Sequence, residues 1–221
     1  MNFYDAVLTL AYPQICVICG SSVEQRRFGV ACEECWNGTR IFTGEEADFC
    51  NSRCESLAFT TARAVGMYEG ALRESVVVLK RQPFVPRHVE SLLVSAAMRD
   101  PLNSSTRVIP VPLHPKRLRT RGFNQAAVVA QSVAKALKLP VDEVSLVRVS
   151  STEKYRAGLD RKGRRDTVAG AFRVAQPRLV AGEQILLVDD VFTTGATVSS
   201  CAEVLLTAGA RTVSVLTVAR A

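Results

Sequence analysis

Residues 185–197 read ILLVDDVFTTGAT, and their order sets the architecture around them. The apolar run across Gln184–Asp189 marks a strand buried on both faces. Asp189 and Asp190 follow at its carboxyl end, where open α/β sheets place ligands. Thr193, Thr194, Gly195, Ala196 and Thr197 come next, small and hydroxyl-rich, and lead into a helix over Thr197–Ala208. Small side chains at a helix N-terminus expose backbone N–H groups at the positive end of the dipole, which suits a phosphate. The threonine hydroxyls add donors. Two carboxylates repel a phosphate but accept hydrogen bonds from vicinal hydroxyls. Donors for a phosphate and acceptors for a diol, together within one short segment, describe a site for a ribose 5-phosphate. The plainer alternative is a strand–turn–helix whose aspartates only favour the helix dipole. A phosphate loop of the GxxxxGK[ST] type is absent from the sequence.

Outward from this segment, apolar runs alternate with amphipathic stretches. Strands are predicted over Ala62–Tyr68, Arg107–Pro112, Leu146–Val149, Gly170–Val174 and Val213–Val218. Helices are predicted over Gly70–Lys80, Val89–Met98 and Gln125–Leu137, with Gly209 placed to cap the helix that follows the aspartates. This alternation implies an α/β fold with a mainly parallel sheet. Residues 153–167 are polar, basic and glycine-containing, and are predicted to be a loop.

Basic residues cluster twice. Lys116, Arg117, Arg119 and Arg121 follow the strand at 107–112, so they can reach the sheet edge that holds the aspartates. A solvated basic face is one reading. A pyrophosphate among them is the other, since arginine binds such groups in bidentate fashion. Lys154–Arg165 holds six more cations, Arg161 and Arg164 among them, which can close on a pyrophosphate or meet the phosphates of single-stranded nucleic acid. His114 reads as a local loop residue and His88 as a surface residue.

Six of the seven cysteines lie between Cys16 and Cys54, which marks an N-terminal module over residues 1–61 ahead of a larger domain over 62–221. Cys16-x2-Cys19 and Cys32-x2-Cys35 form two knuckles that together complete a tetrahedral, structural Zn²⁺ site. So short a module has too little core to fold unaided, and structural zinc supplies roughly 10 to 16 kcal/mol in small peptides. Cys50 and Cys54 stay outside the metal set as the trace of a second pair. Trp36, beside the second knuckle, is expected to cover the metal rather than stack on a base. Cys201 is expected to be packed in a helix.

ILLVDDVFTTGAT resembles the signature of the type I phosphoribosyltransferase superfamily. VPLHPKRLRTRGFNQA at 111–126 resembles, more narrowly, the ComF family of competence proteins, including its GntX-like branch. Tyr68-Glu69-Gly70 followed by Val78-Leu79-Lys80 agrees, as do Ala157-Gly158-Leu159, Arg164-Arg165 and Gly170-Ala171-Phe172. The sequence departs from that family at Arg156, typically Gln, and at Thr167, typically Asn. The resemblance implies a type I phosphoribosyltransferase fold in which Asp189 and Asp190 contact ribose hydroxyls and Thr193 to Thr197 cradle the 5-phosphate of phosphoribosyl pyrophosphate. It implies Mg²⁺ with the pyrophosphate, contacts from Lys80, Lys116, Arg117, Arg121, Arg161 and Arg164 to pyrophosphate or nucleic acid, and a role in DNA uptake or utilisation. A competence helicase is the implied partner.

The net charge of +7 fits polyanionic partners. No apolar run is long enough to span a bilayer. The N-terminal stretch lacks the features of a signal peptide and reads as a short helix or extended lead-in to Cys16. A cytoplasmic protein is therefore expected, in which paired cysteines favour metal over disulfides. Three functions remain open: a DNA-handling protein with a phosphoribosyl site, a nucleobase salvage phosphoribosyltransferase, and a sensor that binds the ligand without turnover.

Overall fold

A computed structural model describes residues 13–48, 57–149 and 170–221. The lead-in over residues 1–12, Cys50 and Cys54, and the basic loop with Arg156, Arg161, Arg164 and Thr167 lie outside the described residues. The elements run α1 (Glu33–Asn37), β1 (Thr61–Met67), α2 (Gly70–Leu79), α3 (Arg87–Ala97), β2 (Arg107–Pro110), α4 (Pro115–Arg121), α5 (Gln125–Leu137), β3 (Leu146–Arg148), β4 (Phe172–Val174), β5 (Gln184–Phe192), α6 (Ala196–Thr207) and β6 (Thr212–Arg220).

Four strands form one sheet in the order β1-β6-β5-β2, and every pairing is parallel. The fold is thus the expected α/β type. β3 and β4 stand apart from it as an antiparallel pair, with Leu146 opposite Val174 and Arg148 opposite Phe172. Side chains alternate between the two faces of the large sheet. Leu186, Val188, Leu216 and Val218 join Leu72 and Val76 of α2, Leu93 of α3 and Val129 of α5 in one core. Ile185, Leu187, Val213 and Val215 join Val198, Ala202 and Leu205 of α6, together with Leu146 and Phe172, in the other. A strand covered on both faces needs a continuous apolar run, and this is why ILLV reads as it does.

Two differences from the sequence reading matter. β5 continues through Asp189 and Asp190 to Phe192, with Asp189 opposite Thr217 and Val191 opposite Ala219 on β6. The carboxylates therefore sit within the strand's last turns of pleat and not beyond its end. The basic run after β2, to which the sequence pattern assigns no element, forms the helix α4, none of whose residues is buried.

Among the described residues, the cysteine-bearing segment packs into the core of the domain rather than into one of its own. Cys16, Val23, Phe28, Ala31, Cys32 and Trp36 belong to the same apolar cluster as Val89 and Leu93 of α3. His88, expected at the surface, is half-buried between Phe28 and Trp36, with ring centroids at 5.2 and 4.6 Å in edge-to-face geometry. Trp36 is buried and donates its Nε1–H to the Phe28 carbonyl at 3.0 Å, so it is spent on packing and cannot stack on a base. The Thr39 hydroxyl donates to the Cys35 carbonyl at 2.7 Å and accepts from the Ala71 N–H at 2.9 Å, which ties the second knuckle to α2. Gly66 of β1 allows the chain at Arg40–Ile41 to lie against the strand, since a Cβ there would stand 2.4 Å from the Arg40 carbonyl oxygen.

Candidate functional site

The chain turns from β5 into α6 through Thr193-Thr194-Gly195. Gly195 takes the left-handed conformation at φ 76°, and a Cβ on it would stand 2.7 Å from the Phe192 ring. Only glycine fits this turn without strain. The turn delivers the first N–H groups of α6 beside the Thr193 and Thr194 side chains, and the Thr194 hydroxyl oxygen lies 3.5 Å from the Ala196 nitrogen.

These residues open onto a cavity of about 470 Å³ at the carboxyl ends of β2 and β5. Asp189, Asp190, Thr193, Thr194, Ala196 and Thr197 form one wall. Lys80 of the α2 C-terminus, Arg117 and Arg121 of α4, and Arg148 of β3 supply cations around it. The sequence-predicted Lys80, Arg117 and Arg121 are thereby brought to the aspartates and threonines. Lys116 is not. It lines a separate, more open hollow of about 390 Å³ on the outer flank of α4, together with Arg117, Thr120 and Arg121. Gly195 is buried behind the wall and acts through backbone shape alone.

Two cavity residues escaped the sequence reading. Arg148 arrives from the antiparallel pair, its guanidinium carbon 5.3 Å from the Phe172 ring centroid. Gln125, buried at the start of α5, accepts a hydrogen bond from Arg121 through its Oε1 and so orients that guanidinium. The neighbouring Asn124 caps α5, accepting from the Ala126 N–H at 3.1 Å and donating to the Val111 carbonyl at 3.0 Å. His114 likewise caps α4, its Nδ1 accepting from the Lys116 N–H at 3.2 Å, as a local residue should.

The acid pair is electrostatically tense. Burial pushes the Asp189 carboxyl well above its ordinary value of 3.8, and the neighbouring Asp190 charge adds to this, while the Asp190 N–H and Lys80 act the other way. Lys80 Nζ stands 3.0 Å from Asp190 Oδ2. This ion pair compensates the buried Asp190 charge from the side of α2. The cavity thus offers two carboxylates as acceptors, a helix N-terminus with hydroxyls as donors, and four cations for an anion.

The cysteines meet elsewhere, on the module. Sγ atoms of Cys16, Cys19, Cys32 and Cys35 all lie within 4.8 Å of one another. Cys16 to Cys35 is 3.7 Å and Cys19 to Cys32 is 3.6 Å. A tetrahedral site with Zn–S bonds near 2.3 Å has sulfurs about 3.8 Å apart, so the four fit one Zn²⁺ with no open position. Burial opposes ionisation of Cys16, but N–H groups of Cys19, Cys32 and Ile18 outweigh it and lower its pKa to about 6. Burial and the other three sulfurs push Cys35 up instead. Four crowded thiols cannot all ionise without a cation among them. Cys201 is wholly buried in α6, as its surroundings in sequence suggested.

Among the described residues no helix is long and apolar enough to cross a membrane. The phosphoribosyl transferase domain family matches residues 124–221. DNA utilization protein YhgH of Escherichia coli O157:H7 is 38% identical over 109 residues, covering 49% of this chain and 47% of the relative. Competence protein F of Haemophilus influenzae is 36% identical over 115 residues, covering 52% and 50%. The chain thus spans about half the length of these curated relatives. Competence protein ComFC of Streptococcus pneumoniae is 25% identical over 207 residues, covering 93% of this chain and 87% of the relative. Residues 124–221 thus match the phosphoribosyl transferase domain family, and the chain is similar to the ComF-type competence and DNA utilization proteins.

Proposed function

We propose that the cavity binds phosphoribosyl pyrophosphate, in a protein that works in DNA uptake or utilisation and meets single-stranded DNA. The 5-phosphate lies against Thr193, Thr194, Ala196 and Thr197, held by N–H groups at the start of α6. The ribose diol donates to Asp189 and Asp190. The pyrophosphate lies toward Arg117, Arg121 and Lys80, and carries Mg²⁺, which binds largely through substrate phosphates. The observation that carries this reading is the adjacent carboxylates of Asp189 and Asp190 in the same cavity as a helix N-terminus and four cations. A phosphate site alone would gain nothing from buried carboxylates. A sugar with vicinal hydroxyls next to its phosphate uses both.

The names of the matched relatives and the basic surface around α4 support the DNA role, with a helicase of the competence machinery as partner and the cytoplasm as its place. The cysteine segment supports it too. It is built into the core of the domain, an investment that a nucleobase salvage enzyme has no evident use for. We read residues 1–61 as the zinc module and 62–221 as the ligand domain, the two sharing one core.

Binding without turnover is favoured by one observation. Among the described residues the carboxylates that line the cavity are Asp189 and Asp190, which this reading commits to the ribose diol rather than to activating a nucleobase. The test is calorimetric titration of the full chain with phosphoribosyl pyrophosphate and Mg²⁺, beside the Asp189→Ala/Asp190→Ala variant. Binding that the double substitution abolishes is expected; unchanged affinity in the variant refutes the site. Base-dependent release of pyrophosphate would move the protein to the salvage class.

A further inference from the structure

α4 has an unusual position: it is a wall between two hollows. Arg117 and Arg121, four residues apart and so on one face of the helix, line both the ligand cavity and the outer hollow. Lys116 and Thr120, also four apart, line the outer one only. The helix carries Lys116, Arg117, Arg119 and Arg121 with no acid, and none of its side chains is buried. Core packing therefore does not account for it. Its ends are nonetheless fixed, by the His114 cap and by Gly122 in the left-handed conformation at φ 83°. Among the described residues, the outer hollow is lined by three cations and one hydroxyl, with neither an acidic nor an apolar side chain. Such a surface has only anions to recognise.

We propose that the outer flank of α4 is a second anion site that takes the phosphodiester backbone of single-stranded DNA, and that Arg117 and Arg121, shared between the hollows, make DNA and the ribose-phosphate ligand compete. The proposal rests on the reading of the inner cavity given above. That reading explains why DNA stays outside. Deoxyribose has no vicinal diol to offer Asp189 and Asp190, and its phosphates are repelled by them. A row of phosphates is instead met outside by Lys116, by the Thr120 hydroxyl and by two guanidiniums one helical turn apart, about 6 Å along the axis. When the inner ligand's pyrophosphate engages Arg117 and Arg121, the outer site keeps only Lys116 and Thr120. Competition of this kind is reciprocal: each partner weakens the other by the same factor.

The experiment is fluorescence anisotropy of a labelled oligothymidylate of about 20 nucleotides, titrated with the full chain in Mg²⁺ buffer over a series of salt concentrations. Wild type is expected to bind, with affinity falling as salt rises. Lys116→Ala is expected to weaken binding about fivefold and to flatten the slope of log affinity on log salt by about 0.7, the share of one phosphate contact on a single strand. Its affinity for phosphoribosyl pyrophosphate stays at the wild-type value, and its fold is not at risk because the side chain is exposed. Arg117→Ala/Arg121→Ala weakens both ligands. Saturating phosphoribosyl pyrophosphate weakens the oligonucleotide several-fold. Absence of oligonucleotide binding at low salt overturns the proposal. So does a Lys116→Ala affinity and slope equal to wild type, or an oligonucleotide affinity indifferent to the small ligand. Polyglutamate displacing the oligonucleotide at equal charge would assign the surface to acidic protein and overturn it as well. A ligand affinity unchanged by Asp189→Ala/Asp190→Ala defeats the inner-site reading separately.

Discussion

The Arg63 side chain tests how the cysteine segment is fastened to the domain. Arg63 lies in β1 and is 1% exposed, yet it is charged. A guanidinium has five N–H donors, and here all five are used. Nε and Nη2 reach the two oxygens of Asp48 at 2.5 and 2.9 Å. Nη1 donates to the carbonyls of Ala96 and Arg99 at 2.7 and 3.1 Å, and Nη2 to that of Asp100 at 2.9 Å. The clasp joins the cysteine-bearing segment, at Asp48, to β1 and to the end of α3. Arg63→Met keeps the apolar stem and removes every donor. Three carbonyls then lose a partner, at roughly 1 to 3 kcal/mol each if no water replaces it. Asp48 is 23% exposed and stays within 3.3 Å of Arg99 Nη2, so it is not stranded. Water entering beside the methionine recovers part of the carbonyl loss, which leaves about 3 to 5 kcal/mol, the range for breaking a buried pair by removing one partner. Asp48→Asn loses less, about 1 to 2 kcal/mol, because one acceptor remains and the site is open to solvent on that side. Urea unfolding at fixed zinc concentration measures both. A loss below about 1 kcal/mol for Arg63→Met, or an equal loss for the two variants, would refute the clasp as the fastening. Ligand affinity measured on folded Arg63→Met should stay at the wild-type value, since Arg63 is no part of the cavity wall.

Two further outcomes follow from the site and the module. A carboxyl raised in the folded state binds more protons there than in the unfolded chain, so its contribution to stability falls as pH rises from about 3.8 through its folded value. Asp189→Asn, which need not ionise, should therefore melt above wild type at pH 8, converge with it toward pH 4 and fail to bind phosphoribosyl pyrophosphate; a lower melting point than wild type at pH 8 would contradict the assignment. Removal of metal by a chelator should raise hydrogen exchange not only around Cys16–Cys35 but along α3, because Val89 and Leu93 share a core with Cys16, Cys32 and Trp36. One zinc per chain is expected by mass, and protection of α3 that survives chelation would show the two parts to be independent.

What could be read in the sequence depended on whether the signal was local. β5 was legible because burial on both faces leaves an apolar run, and the α6 turn because only small residues fit it. α4 was not legible as a helix by hydrophobic period, since it buries nothing. Its markers were terminal: Pro115 at the first position and Gly122 just past the end, the arrangement helices favour. The separation of Lys116 from Arg117 is a matter of helical phase and becomes visible only once the helix is known. Arg148 reaches the cavity through an antiparallel strand pair of three residues each, a tertiary fact with no trace in its own neighbours. His88 was misread for the same reason, as its burial comes from Phe28 and Trp36, more than fifty positions away.

The segment Arg121–Gln125 shows why a short motif can outweigh longer stretches of pattern. Four of these five consecutive residues perform separate tasks that depend on one another. Gly122 ends α4 by entering a region of φ that side chains avoid. The chain can then turn at once into α5, whose first N–H groups Asn124 satisfies while its amide fixes the turn to the Val111 carbonyl at the end of β2. That anchor sets the distance between α4 and the sheet edge, and so the width of the cavity. Gln125, one residue on, holds Arg121 across the turn. Lengthening the turn by one residue would break the fixed offset between α4 and α5, carrying Gln125 away from Arg121 and the Asn124 amide away from Val111. The arginine would still be present and still charged, but no longer aimed at the acid pair. The positive charge of α4 is thus useful to the site only because an uncharged glycine and two amides point it there.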